Sequence, residues 1–540
     1  MGGLSRRDQE KHPRPSIACR YDLARRGHSR RLLSIVNPVN QLYLIFEIAS
    51  LYPQLTSFSQ KSRFSLTPVK VELNAIRAVP LPPFSGLAEL RLKAYATRSH
   101  ILSTDIARFY QSIYTHSIPW ALHGKELAKL NRNVRDLAYY GNRLDFLVRQ
   151  CQDGQTKGIP VGPDTSRIIS ELLLSAIDER ADQLSGNKIL AGYRYIDDVF
   201  YCFSSLVDAE AYLNSLRDAV HHYELELNPE KTRCQTTLSF NEETWPHKVA
   251  AMRIHRDGKS QRQSLFRYFS SMLEIAAGHS SESIAVFAIK ATTTARISRE
   301  NWDIYEAFLL RISREHTNTV DLVTKIICTY AAMGYPISPM VDGWVNDLLV
   351  THVPANHHFE VSWALWAAIS LERKLTGVTV DALSKTDNSV CALLALRAQE
   401  LNLCEKSLAT AVWFGNLSPQ AFYEDRWLLL YEAIANGWLT SAPADMLSEP
   451  FFSTLLQEKV RFFLKNARNL PINVPGGDRI LKGRRRRQRS SVLPGNIYVP
   501  KSKAEIQERL EFEELSGDYG DENGDIFNEY IDYDALFGIE

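Results

Sequence analysis

The stretch GYRYIDDVFYCF, residues 192–203, sets two adjacent carboxylates, Asp197 and Asp198, between two runs of aromatic and β-branched residues. Such runs fit a pleated, half-buried surface, so LAGYRY and VFYCF read as the arms of a hairpin with IDD at its tip. Adjacent side chains of a strand face opposite ways, so only one of the two acids points fully into a site at that tip. Holding an uncompensated carboxylate in a buried setting is costly, and the cost disappears when a divalent cation binds it. An isolated pair of acids also fits an ordinary surface turn. What decides between the two is whether a third acid arrives at the end of another strand.

HILSTDIARFYQSIYTHSIPW, residues 100–120, supplies that acid. A strand through Ile101 and Leu102 runs into Asp105 and then into a helix-like segment. Ile106 can offer its backbone carbonyl to a metal, and Tyr110 lies five residues on. A Mg²⁺ site on phosphate chemistry takes one or two carboxylates and leaves its other positions to water and substrate oxygens, as a nucleotidyl transferase requires.

Around these motifs the chain divides by pattern. At 540 residues it exceeds one compact core, and 45% hydrophobic with 23% charged residues is a globular composition. Residues 1–100 comprise a basic N-terminal segment with RRGHSRRLL and an apolar helical run. Residues 101–250 mix strand-like with helix-like runs, as an α+β domain does. Strands are expected over 66–72, 101–106 and 192–203, and helices over 119–150, 164–184 and 205–223. From 260 to 470 strand signals vanish, and amphipathic segments at 303–314, 319–333, 359–373, 388–403 and 425–438 predict an all-α helical-repeat region. The fold class is therefore α+β followed by all-α. Residues 480–540 form a basic linker and an acidic tail, with thirteen Asp or Glu and one Arg over 505–540.

Seven scattered cysteines without a CxxC pair point to a reduced, cytoplasmic setting. The N-terminus lacks the apolar core of a signal peptide, and Arg6 stands where a myristoylation motif wants Ser or Thr. The most apolar helix-like run, 361–371, is half the ~20 residues a membrane span needs, so no membrane is expected as a partner.

DIARFYQSI (105–113), GIPVGPDTS (158–166), YIDD (195–198) and LNPEKT (227–232) resemble, in order and rough spacing, the palm motifs of reverse transcriptases. The wording of DIARFYQSIYTHSIPWALHGK is similar to bacterial abortive-infection and defence-associated members, which join a right-hand palm and fingers to a helical-repeat domain, and the resemblance implies fingers within 1–100 and a palm over 101–250. The resemblance implies that Asp105 and Asp197, with Asp198 beside them and the Ile106 carbonyl, hold two Mg²⁺ ions, with Mn²⁺ as a substitute. It puts Tyr110, next to Phe109, at the steric-gate position that excludes a 2′-OH. Gly158, Pro160 and Gly162 let backbone approach a nucleotide, and Ser166 and Arg167 open the helix behind them. Lys231 falls near the triphosphate, as a general acid for the leaving pyrophosphate. Arg31 and Arg91 or Lys93 are candidates for triphosphate oxygens.

Two departures bear on templating and fit: Val161 stands where many relatives carry Gln beside the templating base pair, and Gln111 where many carry an acid or proline. The implied function is dNMP transfer to a growing 3′-OH in anti-phage defence, protein-primed with little or no template. Tyr519, Tyr530 and Tyr533 in the tail are priming candidates, and the tail could instead occupy a basic groove and autoinhibit. The alternatives are a conventional RNA-templated reverse transcriptase and a non-catalytic helical-repeat interaction protein. Partners implied are dNTPs, RNA or nascent single-stranded DNA, a non-coding RNA and further copies of the chain. Arg484 to Arg487 would meet phosphates, and Trp363, Trp366, Trp413, Trp427 and Trp438 are either helical core or base-stacking platforms.

Overall fold

The structure, a computed structural model, describes residues 14–475 apart from 26, 73–76, 83–85, 187–190, 240–244, 257, 280–282, 416, 466–471 and 473. The expectations for Tyr519, Tyr530, Tyr533, Arg484 to Arg487 and the acidic tail lie outside the described residues.

The chain opens with an antiparallel hairpin, β1 (Cys19–Ala24) and β2 (Arg30–Ile35), in which Tyr21 faces Leu33. Its arginines hide these strands in the sequence. They are accommodated because Arg30 is neutralised: its Nε donates to Asp22 Oδ1 at 2.7 Å, and its Nη1 and Nη2 donate to the two oxygens of Glu360 at 2.8 and 2.7 Å. Asn37 then caps α1 (Pro38–Ser50) by accepting from the Val39 N–H, with Pro38 at the position where a missing N–H costs nothing. Helices α2 (Tyr52–Ser59) and α3 (Leu87–Tyr95) follow.

Four strands make the central sheet, in the order β4–β5–β3–β6, all antiparallel: β3 (His100–Thr104), β4 (Ala191–Tyr195), β5 (Asp198–Phe203) and β6 (Arg233–Thr236). Between β3 and β4 run α4 (Phe109–Ser112), α5 (Ser117–His123), α6 (Lys125–Leu130), α7 (Tyr140–Gln150) and α8 (Asp164–Ser185); α9 (Leu206–His222) follows β5. One sheet face rests on α8 and α9, with Tyr201 ring to ring on Tyr212 of α9 at 5.5 Å. On the other face Tyr193 stacks on Phe200 at 5.4 Å, and Tyr95 of α3 meets Phe200 edge-on at 5.8 Å. Gly192 is required where β4 crosses β5: it has φ +130°, and a Cβ there would lie 2.2 Å from the Phe200 carbonyl oxygen.

Two expectations change. Residues 66–72 form no strand; the segment touches the edge of β4 through a single parallel bridge, Ser65 to Arg194, and Pro68 lacks the N–H that a ladder would use. The helix expected over 119–150 is broken at Gly124, φ +85°, and again over 131–139, into α5, α6 and α7.

From Trp245 the described chain is helical: α10 (Trp245–Ala251), α11 (Gly258–Gly278), α12 (Ile284–Thr292), α13 (Trp302–Glu315), α14 (Val320–Ala332), α15 (Met340–His352), α16 (His358–Leu371), α17 (Gly377–Leu383), α18 (Ser389–Glu400), α19 (Trp427–Ala435), α20 (Ala444–Leu447) and α21 (Pro450–Gln457). All five amphipathic segments expected from the sequence are helices. Helix α16 is apolar nearly all round and packs against α14, α15, α18 and β1, as such a helix must. Tyr21 Oη and Ser362 Oγ at 2.7 Å, and Asn388 Nδ2 donating to the Arg20 carbonyl at 2.7 Å, fasten the β1–β2 hairpin to this region. Trp413 and Trp427 are core, whereas Trp363 and Trp366 are half-buried. Among the described residues no helix is long and apolar enough to cross a membrane.

Candidate active site

The hairpin tip is two residues long. Tyr195 pairs with Asp198, leaving Ile196 and Asp197 as the loop. Asp197 thereby projects from the tip while Asp198 begins β5. Asp105 ends the neighbouring strand: β3 pairs with β5 up to Thr104 opposite Val199, so the two chain ends emerge side by side. Beyond it Ile106 bridges Leu227. That bridge uses the Asp105 carbonyl, which accepts from the Asn228 N–H at 2.9 Å, and the Ala107 N–H, which donates to the Glu226 carbonyl at 2.9 Å. The pairing therefore does not consume the Ile106 carbonyl.

The bridge also brings LNPEKT to the site. Lys231 Nζ lies 2.8 Å from Asp105 Oδ2. Asp105 Oδ1 is buried and has no hydrogen-bond partner among the described residues, an arrangement that costs free energy unless something else meets it. Burial pushes the Asp197 carboxyl up to about 6. The charge of Asp105 acts in the same direction, against its own backbone N–H, Lys231 and Arg31, which pull it down. Asp105, Asp197, Lys231 and Arg31 thus form one electrostatic group. Two hard oxygen donors, one orphaned and one held reluctant to ionise, suit a hard divalent cation such as Mg²⁺ or Mn²⁺.

Tyr110 stands at the edge of this group. Its ring meets Phe109 edge-on at 5.4 Å, and its hydroxyl lies 3.2 Å from Ser170 Oγ of α8. Burial pushes its phenol up, with the charge of Asp197 adding to that and Arg167 opposing it. Phe109 is itself buried core. Gly158, φ +81°, sits where a Cβ would lie 3.2 Å from the Gln111 carbonyl oxygen, so its bareness lets the 158–163 loop close on α4. Pro160 is buried behind it. The loop continues onto the β1–β2 hairpin, where the Ser34 N–H donates to the Val161 carbonyl at 2.8 Å, with Gly162 near the Ser34 carbonyl. Ser166 and Arg167 are buried in α8, and Arg167 Nη2 donates to the Thr67 carbonyl at 2.9 Å.

The structure does not bring Arg91 to this group: its Nη1 lies 3.4 Å from the Tyr193 hydroxyl, in the middle of β4. Lys93 pairs with Glu89 on the exposed face of α3. Sequence reasoning passed over Arg77, whose Nη2 donates to Asp164 Oδ1 at 2.7 Å and to the Gly162 carbonyl at 2.9 Å. It also passed over Arg194 and Glu171, buried beside the tip. Nothing in local spacing signals these, since their partners lie far away in sequence.

Residues 58–267, a span holding Asp105, Tyr110, Asp197, Asp198 and Lys231, match the family model described as reverse transcriptase (RNA-dependent DNA polymerase). The chain carries a reverse-transcriptase domain. Its mixed α+β architecture is the palm and fingers fold of that family. The domain is of the RNA-directed DNA polymerase type. No curated protein matches the chain. Among solved structures it is similar to telomerase from Candida tropicalis in complex with the TWJ fragment of telomeric RNA, at 13% identity and a TM-score of 0.27, over 71% of this chain and 64% of that one. It is also similar to apo telomerase from the same organism, at 12% identity and a TM-score of 0.29, over 73% of this chain and 68% of that one.

Proposed function

We propose that this chain transfers dNMP from a dNTP to a growing 3′-OH, using two Mg²⁺ ions held by Asp105, Asp197 and the Ile106 carbonyl, with Asp198 beside them. One observation carries the reading: the orphaned Oδ1 of Asp105 stands in the same electrostatic group as an Asp197 carboxyl held near 6, two acids whose needs the protein leaves unmet. When bound, the metal supplies a clamp on the attacking oxygen and on the leaving phosphate of an in-line displacement. Asp105 and Asp197 orient that clamp from two rigid strand ends. Lys231, anchored on Asp105 Oδ2, is within reach to give a proton to the departing pyrophosphate. Tyr110, its hydroxyl turned to Ser170, presents its ring to the sugar and excludes a 2′-OH. Arg31 offers a cation to triphosphate oxygens.

The finer reading is a defence-associated enzyme, protein-primed and little templated. The resemblance of residues 105–125 to defence-associated members supports it, as do Val161 in place of a glutamine and a helical region bonded to the β1–β2 hairpin. Tyr519, Tyr530 and Tyr533 are the proposed primers. RNA, nascent single-stranded DNA and further copies of the chain are the proposed partners. The purified chain is to be incubated with labelled dNTPs and Mg²⁺ or Mn²⁺, without template or primer, beside Asp197→Ala. A product absent from the variant and altered in mobility by protease supports both readings. Product only on addition of RNA template and primer keeps the polymerase and overturns protein priming. No product under either condition overturns the polymerase.

A further inference from the structure

Ile196, the first residue of the hairpin tip, has φ +53°. That region is costly for any residue with a Cβ, and most costly for a β-branched one. Such strain persists only where the surroundings over-determine it. Ile196 is also almost fully buried, and both its backbone polar groups are gripped. Its carbonyl accepts from Arg194 Nη1 at 2.8 Å, and its N–H donates to Thr67 Oγ1 at 3.3 Å.

Arg194 is itself locked. It is 1% exposed; its Nε donates to Asp178 Oδ2 at 2.6 Å, its Nη2 to Glu171 Oε1 at 2.8 Å, and its Nη1 also to Glu171 Oε2 at 3.2 Å. Thr67 Oγ1 donates to Glu171 Oε2 at 3.2 Å and Ser65 Oγ to Glu171 Oε1 at 2.6 Å, while Arg167 lies against the same carboxylate at 3.4 Å. Two cations, Arg167 and Arg194, face two anions, Glu171 and Asp178, in a dry interior. Buried ion pairs are frequently no more stabilising than apolar residues of the same volume, so stability alone is a weak account of this cluster. Its position is more informative. Glu171 follows Ser170 on α8, and Ser170 holds the Tyr110 hydroxyl. One helix therefore sets both the tip that carries Asp197 and the ring proposed to meet the sugar.

We propose that Arg194, clamped by Glu171 and Asp178, is a positioning residue that holds the Ile196 carbonyl and so fixes the direction in which Asp197 leaves the hairpin tip. The inference rests on the nucleotidyl-transfer reading of Asp105 and Asp197. Lysine at 194 keeps the charge but lacks the planar fork that reaches Glu171, Asp178 and the Ile196 carbonyl together.

The test uses the full chain with three variants: Arg194→Lys, Thr67→Val, which removes the acceptor for the Ile196 N–H, and Asp178→Asn, which weakens one side of the clamp on the guanidinium. Amide hydrogen exchange over residues 193–199 is measured without metal, Mn²⁺ affinity by electron paramagnetic resonance, and melting temperature alongside. Expected are faster exchange at the tip in Arg194→Lys and Thr67→Val, with a smaller increase in Asp178→Asn. Mn²⁺ affinity should fall about 10–100-fold in Arg194→Lys, the range for partners that orient a metal ligand. A lower melting temperature with unchanged tip exchange and unchanged Mn²⁺ affinity would make Arg194 a core residue only and overturn the proposal. If Arg194→Lys does not fold, Thr67→Val decides by the same two readouts. Wild type that binds Mn²⁺ but incorporates no dNTP would overturn the polymerase reading and leave positioning judged on exchange and affinity. Wild type that binds no Mn²⁺ would overturn both.

Discussion

Three buried carboxylates of the helical region, Glu360, Glu432 and Glu449, and the acids at the ends of β3 and the hairpin stand in opposite conditions. The three are spent. Glu360 gives both oxygens to Arg30, and although burial alone would raise its carboxyl, that guanidinium holds it below the usual range. Glu432 accepts the N–H groups of Phe462 and Phe463 on one oxygen and Asn436 Nδ2 on the other. Glu449 caps α21 through the N–H groups of Phe451 and Phe452 and takes the Tyr423 hydroxyl on its second oxygen. At the tip, by contrast, Asp105 Oδ1 has no partner among the described residues and Asp197 resists ionisation.

Proximity alone would mislead here. Ligand atoms of His352, His357 and Glu360 lie within 4.8 Å of one another, as a metal site requires. Yet the two imidazoles share an Nδ1 to Nδ1 contact of 2.9 Å, and Glu360 is committed to Arg30. Unmet bonding capacity, rather than clustering, separates the acids available for chemistry from those that hold the fold.

Substitutions on the two sides should therefore fail in opposite ways. The largest effect is expected from Asp197→Asn, which should lower nucleotide incorporation by at least ~10³-fold while stabilising the metal-free protein at neutral pH. The sign follows from the carboxyl being held above its ordinary 3.8, at about 6, in the folded state. Ionising it costs stability, a penalty absent below about pH 4 and fully present above about 6. Removing the charge should recover on the order of 1–2 kcal/mol in a denaturant melt at pH 7.5. Glu360→Gln should do the reverse, costing about 3 kcal/mol by leaving Arg30 half-paired with incorporation per folded molecule unchanged.

Smaller effects sharpen the same contrast. Lys231→Ala should reduce kcat by roughly 10²-fold if the lysine donates to the leaving group; steady-state kinetics with Asp105 intact would show it, and an unchanged kcat would assign Lys231 to holding Asp105 only. Lowering pH through about 6 protonates Asp197, so Mn²⁺ affinity should fall across that interval, and a pH-independent affinity would remove Asp197 from the ligand set. The smallest expected effect is none: Zn²⁺ should leave the melting temperature of an Asp105→Asn, Asp197→Asn double variant unchanged, because Glu360 has no capacity to give.

Much of this was legible in the sequence, for identifiable reasons. Apolar residues at helical spacing expose α13, α14, α16, α18 and α19, because each buries apolar side chains against its neighbours. Runs of aromatic and β-branched residues expose β3, β4 and β5, and the YIDD tip follows from acids between two such runs. The β1–β2 hairpin was not legible, since its charges are neutralised by Glu360, 330 residues away from Arg30. Residues 66–72 misled for the converse reason: β-branched and apolar side chains lie along an edge that Pro68 stops from pairing. Of the residues that the fold brings together, Asp105, Asp197, Tyr110 and Lys231 stand in motifs, whereas Arg194, Glu171 and Arg77 are bonded to partners that only the fold brings close. Arg91, singled out by its basic neighbourhood, meets Tyr193 instead.

The most direct measurement is labelled dNTP incorporation per folded molecule for Asp197→Asn and Glu360→Gln, assayed side by side with Mg²⁺ or Mn²⁺ and normalised by the native fraction. A silent but stable Asp197→Asn beside an active but weakened Glu360→Gln is the predicted result. An active Asp197→Asn, or a Glu360→Gln that is folded and silent, would contradict the division of the acids on which the account stands.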